Sequence, residues 1–327
     1  MGNVLLTGGA GFIGSHLAEA LVAERHRVYV LDDLSTGKLS NLPEQCELLL
    51  GDVLNVAGLA RGLPKLDAVF HLAAVASVDE CRRHWLATHQ VNASAFIGLL
   101  EWLKSRGETA VPVVYASSAA VYGEFSTPKA ACETDPAHPI SPYGADKLAC
   151  ELHGRIAAEL YGMQAVGLRF FNVYGPRQDP ASPYSGVISI FSRQALLGET
   201  LTIYGDGKQT RDFVHVSDVT RACLAARDRA AKLKGQAINV CTGRASDLHA
   251  LVEAIEKSTG RSLAVRHADP RPGDIRFSLG DPTRMRKLLG IEASVGLSDG
   301  IAALMTDARN DLTGTANLER PLEHVVL

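Results

Sequence analysis

Three residue types within one stretch are suited to proton chemistry. Over residues 113–147 the chain reads VVYASSAAVYG, then a polar loop, then SPYGADK. Ser117 and Ser118 end an apolar run, and Tyr143 and Lys147 stand four residues apart downstream. Ser141 suits a helix cap and Pro142 the first helical position. The spacing therefore predicts a helix on which phenol and ammonium share a face, about one turn apart. A lysine charge beside a tyrosine favours the phenolate over a free-tyrosine pKa of about 10, which makes the hydroxyl a base usable near neutral pH. A second Tyr-x-x-x-Lys, Tyr204 to Lys208, encloses Gly-Asp-Gly. That interior predicts a turn, so its two side chains need not face each other.

Such a pair needs a scaffold that holds it against a reactant, and the amino-terminal half reads as one. NVLLT predicts a strand ending in Gly8, Gly11 and Gly14, with Phe12 and Ile13 opening a helix that closes near Arg25 and His26. RVYVLDD then predicts a second strand. Glycines between strand and helix let backbone N–H groups approach a pyrophosphate. Asp32 ends the second strand, where an acid accepts hydrogen bonds from ribose hydroxyls and repels a 2′-phosphate, favouring NAD over NADP. Asp33 beside it leaves that assignment open by one residue. A third strand, CELLLGD, ends at Asp52 and Val53, suited to an adenine edge. A fourth, DAVFHLAA, ends in Leu72, Ala73 and Ala74, small enough in its alanines for a cofactor to lie against the backbone.

Residues 79–106 predict one long helix with an apolar stripe of Trp85, Val91, Phe96, Leu99, Leu100 and Leu103, either core or a dimer face. PVVYASS is the fifth strand and AVGLRFFNVYG the sixth, with Phe171 a further cofactor candidate. Strands and helices alternate, so the fold class is α/β: a doubly wound parallel Rossmann sheet with a smaller α/β carboxy-terminal domain. The expected division is residues 1–174 and 175–327, with 212–230 returning to the first domain. In the second half, a helix over 186–197, the strand LTIYG, the run INVCTG, a helix over 247–258, the strand SLAVRH and two short helices are expected.

Composition narrows the class. The 327 residues are 46% hydrophobic and carry a formal net charge of −3 with no basic block, which gives nucleic acid or an anionic membrane no electrostatic hold. No apolar run approaches the ~20 residues that span a bilayer. The opening residues lack a charged leader and break at glycines, so a cytoplasmic protein without a signal peptide is expected. Six scattered cysteines, without C-x-x-C spacing, read as free thiols rather than disulfides or metal ligands.

TGGAGFIG, HLAA, SSAAVYG, SPYGADK, RFFNVYGPRQDP and YGDGKQTRDFVHVSD together resemble the extended short-chain dehydrogenase/reductase family. Within it, the match is to the NAD-dependent nucleotide-sugar (UDP-hexose) 4-epimerases, and it spans nearly the whole chain. The resemblance implies a tightly held NAD that serves as resident oxidant. Tyr143 would take the proton from the sugar 4-hydroxyl while C4 gives up a hydride. Lys147 would hold the nicotinamide ribose and keep the phenol acidic, and Ser118 would bond the same sugar oxygen and relay its proton. The 4-keto sugar would then turn over and take the hydride back on its other face.

The related 4,6-dehydratases carry Thr-Asp-Glu where this chain has Ser118-Ala119-Ala120, so dehydration is disfavoured. Asn172 matches a uracil- or phosphate-side residue, and Arg211 and Arg271 match two diphosphate arginines, whose guanidinium forks suit a pyrophosphate. Val187, Thr202 and Tyr204 complete the implied substrate set. Ser278 falls where the family holds either tyrosine or a small residue, and a small one leaves room for an N-acetyl group. UDP-Glc/UDP-Gal and UDP-GlcNAc/UDP-GalNAc are both expected substrates. Arg177, read as lying near the sugar, makes UDP-glucuronate the alternative. A non-enzymatic dinucleotide sensor and a net oxidoreductase are the rival classes; a sensor would be expected to lose Tyr143 or Lys147. Two departures bear on cofactor holding: Gln90 stands where Asn is usual, and Ala76 where Lys or Gln is. The family also implies a homodimer through helices matching 79–106 and 142–161.

Overall fold

Apolar runs of four to seven residues, each followed by an amphipathic segment, build a layered α/β protein. The computed structural model describes residues 1–124, 129–179, 186–233, 235–270, 275–312 and 325–326. The chain runs β1 (Asn3–Thr7), α1 (Phe12–Ala23), β2 (Arg27–Asp32), β3 (Glu47–Leu50), α2 (Val56–Leu59) and β4 (Ala68–His71). Next come α3 (Val78–Arg83), α4 (Trp85–His89), a π-helical turn (Gln90–Ser94), α5 (Ala95–Ser105), β5 (Pro112–Ser118), α6 (Pro142–Tyr161) and β6 (Gln164–Phe170). The remainder is β7 (Asn172–Tyr174), α7 (Val187–Leu197), β8 (Leu201–Tyr204), β9 (Phe213–His215), α8 (Val216–Leu233), β10 (Ala237–Val240), α9 (Leu248–Thr259), β11 (Val265–Ala268), α10 (Leu297–Leu312) and β12 (Val325–Val326).

The main sheet has the order β10-β6-β5-β4-β1-β2-β3, extended at its edge by β12. Every pairing in it is parallel. Strand order reverses between β1 and β4, so a crevice opens beyond their carboxyl ends, where such sheets bind ligands. Val4, Leu6, Val28 and Val30 face a core under α1 and α8, while Leu5, Leu31, Val69 and Val113 face one under α5 and α6. A smaller core, including Tyr174, Phe191, Ile203 and Ile255, joins α7, α9 and α10. Among the described residues no helix is long and apolar enough to cross a membrane.

Four details differ from the sequence reading. The run AVGLRFFNVYG is two strands: Phe171 N–H still reaches Val240 O, but Asn172 N–H turns to Asp212 O and β7 pairs with β9 in a separate sheet. INVCTG, grouped with the smaller half, supplies β10, the edge of the main sheet beside β6. Residues 79–106 are not one helix, because His84 leaves the helical region (φ −125°, ψ 50°) and a π-helical turn follows α4. Phe96, Leu99, Leu100 and Leu103 are core, but Trp85 is 63% and Leu86 74% exposed. The last helix is not short: α10 has 16 residues. Alpha-8, at 216–233, packs against β5, β6 and α1, as a segment returning to the sheet would.

Candidate active site

The crevice at the strand ends is a cleft of about 930 Å³. At one end, Gly8 turns the chain with φ +71°, and a Cβ there would lie 2.6 Å from Ala73 N. A Cβ on Gly14 would lie 2.1 Å from Gly8 O, so both positions need glycine for the packing of loop on helix. Gly11 is different. Its Cβ would meet only Gly8 O, at 3.3 Å, so the space it leaves faces the cleft, at the N-cap of α1 where no side chain caps the helix. Open helix N–H groups above a glycine cradle suit a pyrophosphate.

Asp32 and Asp33 divide their work. Asp32, buried at the end of β2, accepts from Ala10 N and Leu34 N at 2.9 Å each, which fastens the glycine loop. Burial pushes its carboxyl above the ordinary range, against the pull of those two N–H groups. Exposed Asp33 accepts from Ser35 N and Oγ. Asp52 caps the following turn through Leu54 N at 2.8 Å. Each carboxylate oxygen retains acceptor capacity, and all three acids line the cleft together with Val53, Leu72, Ala73 and Ala74.

At the other end stand Ser118, Tyr143, Lys147, Phe171 and Asn172. Ser141 caps α6 by accepting from Gly144 N at 3.1 Å, with Pro142 at the first helical position. The Lys147 Nζ lies 5.7 Å from the centre of the Tyr143 ring. Lys147 is 2% exposed and forms no salt bridge among the described residues. A buried ammonium without a carboxylate is costly, and a dinucleotide's ribose hydroxyls are acceptors suited to it. The glycine cradle and this lysine, at opposite ends of one cleft, fit NAD.

The serine pair separates by role. Ser117 is 1% exposed and donates to Glu151 Oε1 at 2.5 Å. Glu151 also takes the Arg169 fork at 2.8 and 2.6 Å, and that guanidinium lies over the Tyr122 ring. Among the described residues Ser118 Oγ makes only a local bond, accepting from Ala120 N at 3.2 Å. Behind the wall, Thr7 Oγ1 accepts from Ala73 N at 3.3 Å and shares a 2.9 Å hydrogen bond with His71 Nδ1. Burial, helped by the Lys147 charge, lowers the His71 pKa to about 3, so this ring is neutral.

Asn92 was not singled out by the sequence. Its amide, 1% exposed, accepts from Val75 N at 2.8 Å and donates to Val75 O at 3.1 Å, pairing with the loop after β4 as a strand would. The π-helical turn aims it there. The departure at Gln90 falls on an exposed position, and Ala76 lies exposed on the cleft rim. Asp212 was missed as well: wholly buried, it accepts from Thr242 N and Oγ1, Gly243 N and Gly280 N, which fixes β9 against the Ser278 strap.

The remaining substrate candidates do not line the cleft. Ser278 N–H bonds Thr210 O at 3.1 Å, two residues from Gly280, whose Cα packs on Phe171. Arg211 donates to Thr210 O and Ile275 O. Thr202 Oγ1 accepts from Arg266, Tyr204 O accepts from Gln209, and Val187 packs on the smaller core. Arg271 lies outside the described residues. The Tyr204–Lys208 interior is a turn, with Gly205 and Gly207 at φ +77° and +75°. Arg177 does line the cleft, and its guanidinium forks onto Glu19 of α1 at 3.1 and 2.8 Å.

Known proteins share this arrangement. The UDP-glucose 4-epimerase of Mycolicibacterium smegmatis is 38% identical over 317 residues, 94% of this chain and 99% of its own length. The crystal structure of UDP-glucose 4-epimerase from Thermotoga maritima, with UDP-glucose, superposes with a TM-score of 0.90 at 36% identity, covering 95% of this chain and 99% of that one. The UDP-N-acetylglucosamine 4-epimerase of Methanobrevibacter ruminantium, in complex with UDP-N-acetylmuramic acid, gives 0.89 at 35%, again over 95% and 99%. The model of the NAD dependent epimerase/dehydratase family matches residues 4–241, from β1 through β10, and with the glycine cradle and the Tyr143–Lys147 pair in place, this chain belongs to that family.

Proposed function

We propose that the protein is an NAD-dependent 4-epimerase of UDP-sugars, acting on UDP-Glc/UDP-Gal and on UDP-GlcNAc/UDP-GalNAc. The observation that carries this reading is the convergence of Ser118, Tyr143 and Lys147 on one wall of the cleft whose far end is the glycine cradle. NAD, which the glycine cradle and Lys147 would hold, would supply a reversible hydride acceptor for the sugar carbon. Tyr143 takes the proton of the 4-hydroxyl and later gives one back. Ser118, whose hydroxyl proton is not donated to any of the described residues, holds the same oxygen. Lys147 keeps a positive charge beside the phenol. Ala119 and Ala120 offer no carboxylate next to the sugar, which supports epimerisation over elimination.

A small residue at Ser278, on a strap that reaches Phe171 through Gly280, supports the acetamido sugars as substrates. The Arg177 guanidinium is engaged by Glu19, which supports the uncharged sugars over the UDP-glucuronate alternative. The same reading makes the protein a homodimer through α6: Leu152, Ile156 and Leu160 are exposed at four-residue spacing, against α4 with Trp85 and Leu86. Incubation with UDP-glucose, UDP-GlcNAc and UDP-glucuronate, with the 4-epimers resolved by NMR, tests the function. Conversion of the first two without NADH accumulation is expected. Net NADH production, or conversion of glucuronate alone, would overturn the assignment.

A further inference from the structure

Five residues, His16, Glu19, Lys38, Asn41 and Asp307, make contacts to the short segment that follows β7, and none of these contacts serves the chemistry at Tyr143. Arg177 forks onto Glu19 through both terminal nitrogens, donates to Asn41 O at 3.4 Å, and gives His16 Nδ1 a hydrogen bond of 2.7 Å. His16 Nε2 in turn donates to Pro176 O at 3.0 Å. Arg177 N–H bonds Asp307 of α10 at 2.9 Å, and Asp179 pairs with Lys38 at 3.3 Å. The segment thus ties together α1, the loop between β2 and β3, and α10. His16 and Glu19 sit one turn apart on the helix whose N-terminus is the glycine cradle, and Lys38, Asn41, Arg177 and Asp179 all line the cleft.

Backbone conformation marks the same feature. Arg177 has φ +64° and Leu34, which opens the β2–β3 loop, has φ +57°. Side chains rarely accept that region, and residues held there by surrounding contacts concentrate at ligand clamps. Glycine would relieve the strain at 177 but would remove the fork.

We infer that residues 176–179 are a buckle, with Arg177 as its tongue, that closes the nucleotide-side mouth of the cleft and sets how fast NAD leaves. The inference rests on the reading of the cleft as an NAD site. Arg177 is here a positioning residue: it touches the walls that hold the dinucleotide. Because the buckle spans β7 and α1, the cofactor departs only when Arg177 releases Glu19. Lys38 and Asp179 are the weaker catch, since both are well exposed and such pairs add little.

The test is NAD dissociation, measured without any sugar nucleotide by chasing isotopically labelled NAD with an excess of unlabelled NAD. Arg177→Met is expected to speed release on the order of tenfold, and Glu19→Gln by about threefold, as a charge-assisted fork is lost or weakened. Lys38→Ala should change it by less than about twofold. Release from the wild type should quicken with added salt, and release from Arg177→Met should not. Glu19 is half exposed, so Glu19→Gln keeps the test open if the arginine variant folds poorly. Unchanged release from both variants, with wild-type NAD binding intact, overturns the buckle alone. Failure of the wild type to bind NAD overturns the site reading with it.

Discussion

Replacing Ser117 and Ser118 one at a time by alanine separates two hydroxyls that look alike in the sequence. Ser117→Ala removes a buried, charge-assisted bond to Glu151. Glu151 keeps the Arg169 fork, so the carboxylate is not orphaned and the loss is about 1.5–3 kcal/mol. For a chain of this size that lowers the melting temperature by a few degrees, ~3–8 °C. Turnover of UDP-glucose should stay within about twofold, because the Ser117 hydroxyl is committed to Glu151 and is not the one proposed to hold the sugar oxygen. Ser118→Ala should do the reverse. Its one side-chain bond among the described residues, from Ala120 N, is local, so the fold loses ~0.5 kcal/mol or less. The rate should fall by about 10²-fold, which corresponds to ~2.7 kcal/mol of transition-state stabilisation. Thermal melts and kcat for 4-epimerisation, measured on both variants, decide the matter. Wild-type kcat in Ser118→Ala, or a hundredfold loss in Ser117→Ala with an unchanged melt, would refute the division of labour.

Gly11→Ala should leave the melt of the NAD-free protein nearly unchanged yet lower NAD affinity at least tenfold by calorimetric titration, whereas Gly14→Ala should lose both, since its methyl would strike Gly8 O. Asn92→Leu should cost ~2–4 kcal/mol in chemical denaturation by stranding Val75 N and O, and an unchanged midpoint would remove Asn92 as the clamp. Ser278→Tyr is expected to abolish turnover of the acetamido sugars and spare UDP-glucose; equal loss of both would dismiss the gate. Burial holds His16 below its ordinary pKa; the facing Arg177 and His215 charges act the same way, while the Pro176 carbonyl and Glu19 oppose them. With the folded value depressed, the stabilisation from neutral His16 is complete above the unfolded value of about 6.5 and fades as pH falls below it. Between about pH 7.5 and 5.5 the wild-type melt should therefore drop more than that of His16→Gln, and parallel curves would exclude His16 as the titrating group.

Local patterns carried most of the architecture. The six amino-terminal strands and the glycine turn follow from apolar runs and punctuation that act within about ten residues, and the fifteen cofactor candidates, Phe171 among them, come to line one cleft. Elements whose place depends on a distant partner were not legible in this way. Residues 237–240, AINV, would read as a strand in either half of the molecule, and only pairing with β6 assigns them to the main sheet. The stripe over 79–106 has helical spacing throughout, yet only the part lying on the sheet is buried, and Trp85 is left outside.

By itself, the amino-acid sequence determined the α/β class, the dinucleotide cradle and the Tyr143–Lys147 pair, because strand, glycine turn and helix spacing are short-range properties. Tertiary structure alone decided which serine is bonded to Glu151, that Asn92 rather than residue 90 clamps the loop after β4, and that Arg177 belongs to Glu19. Each of those depends on a hydrogen-bond partner 17 to 158 residues away, and hydrogen bonds are assigned by what the fold brings within about 3 Å.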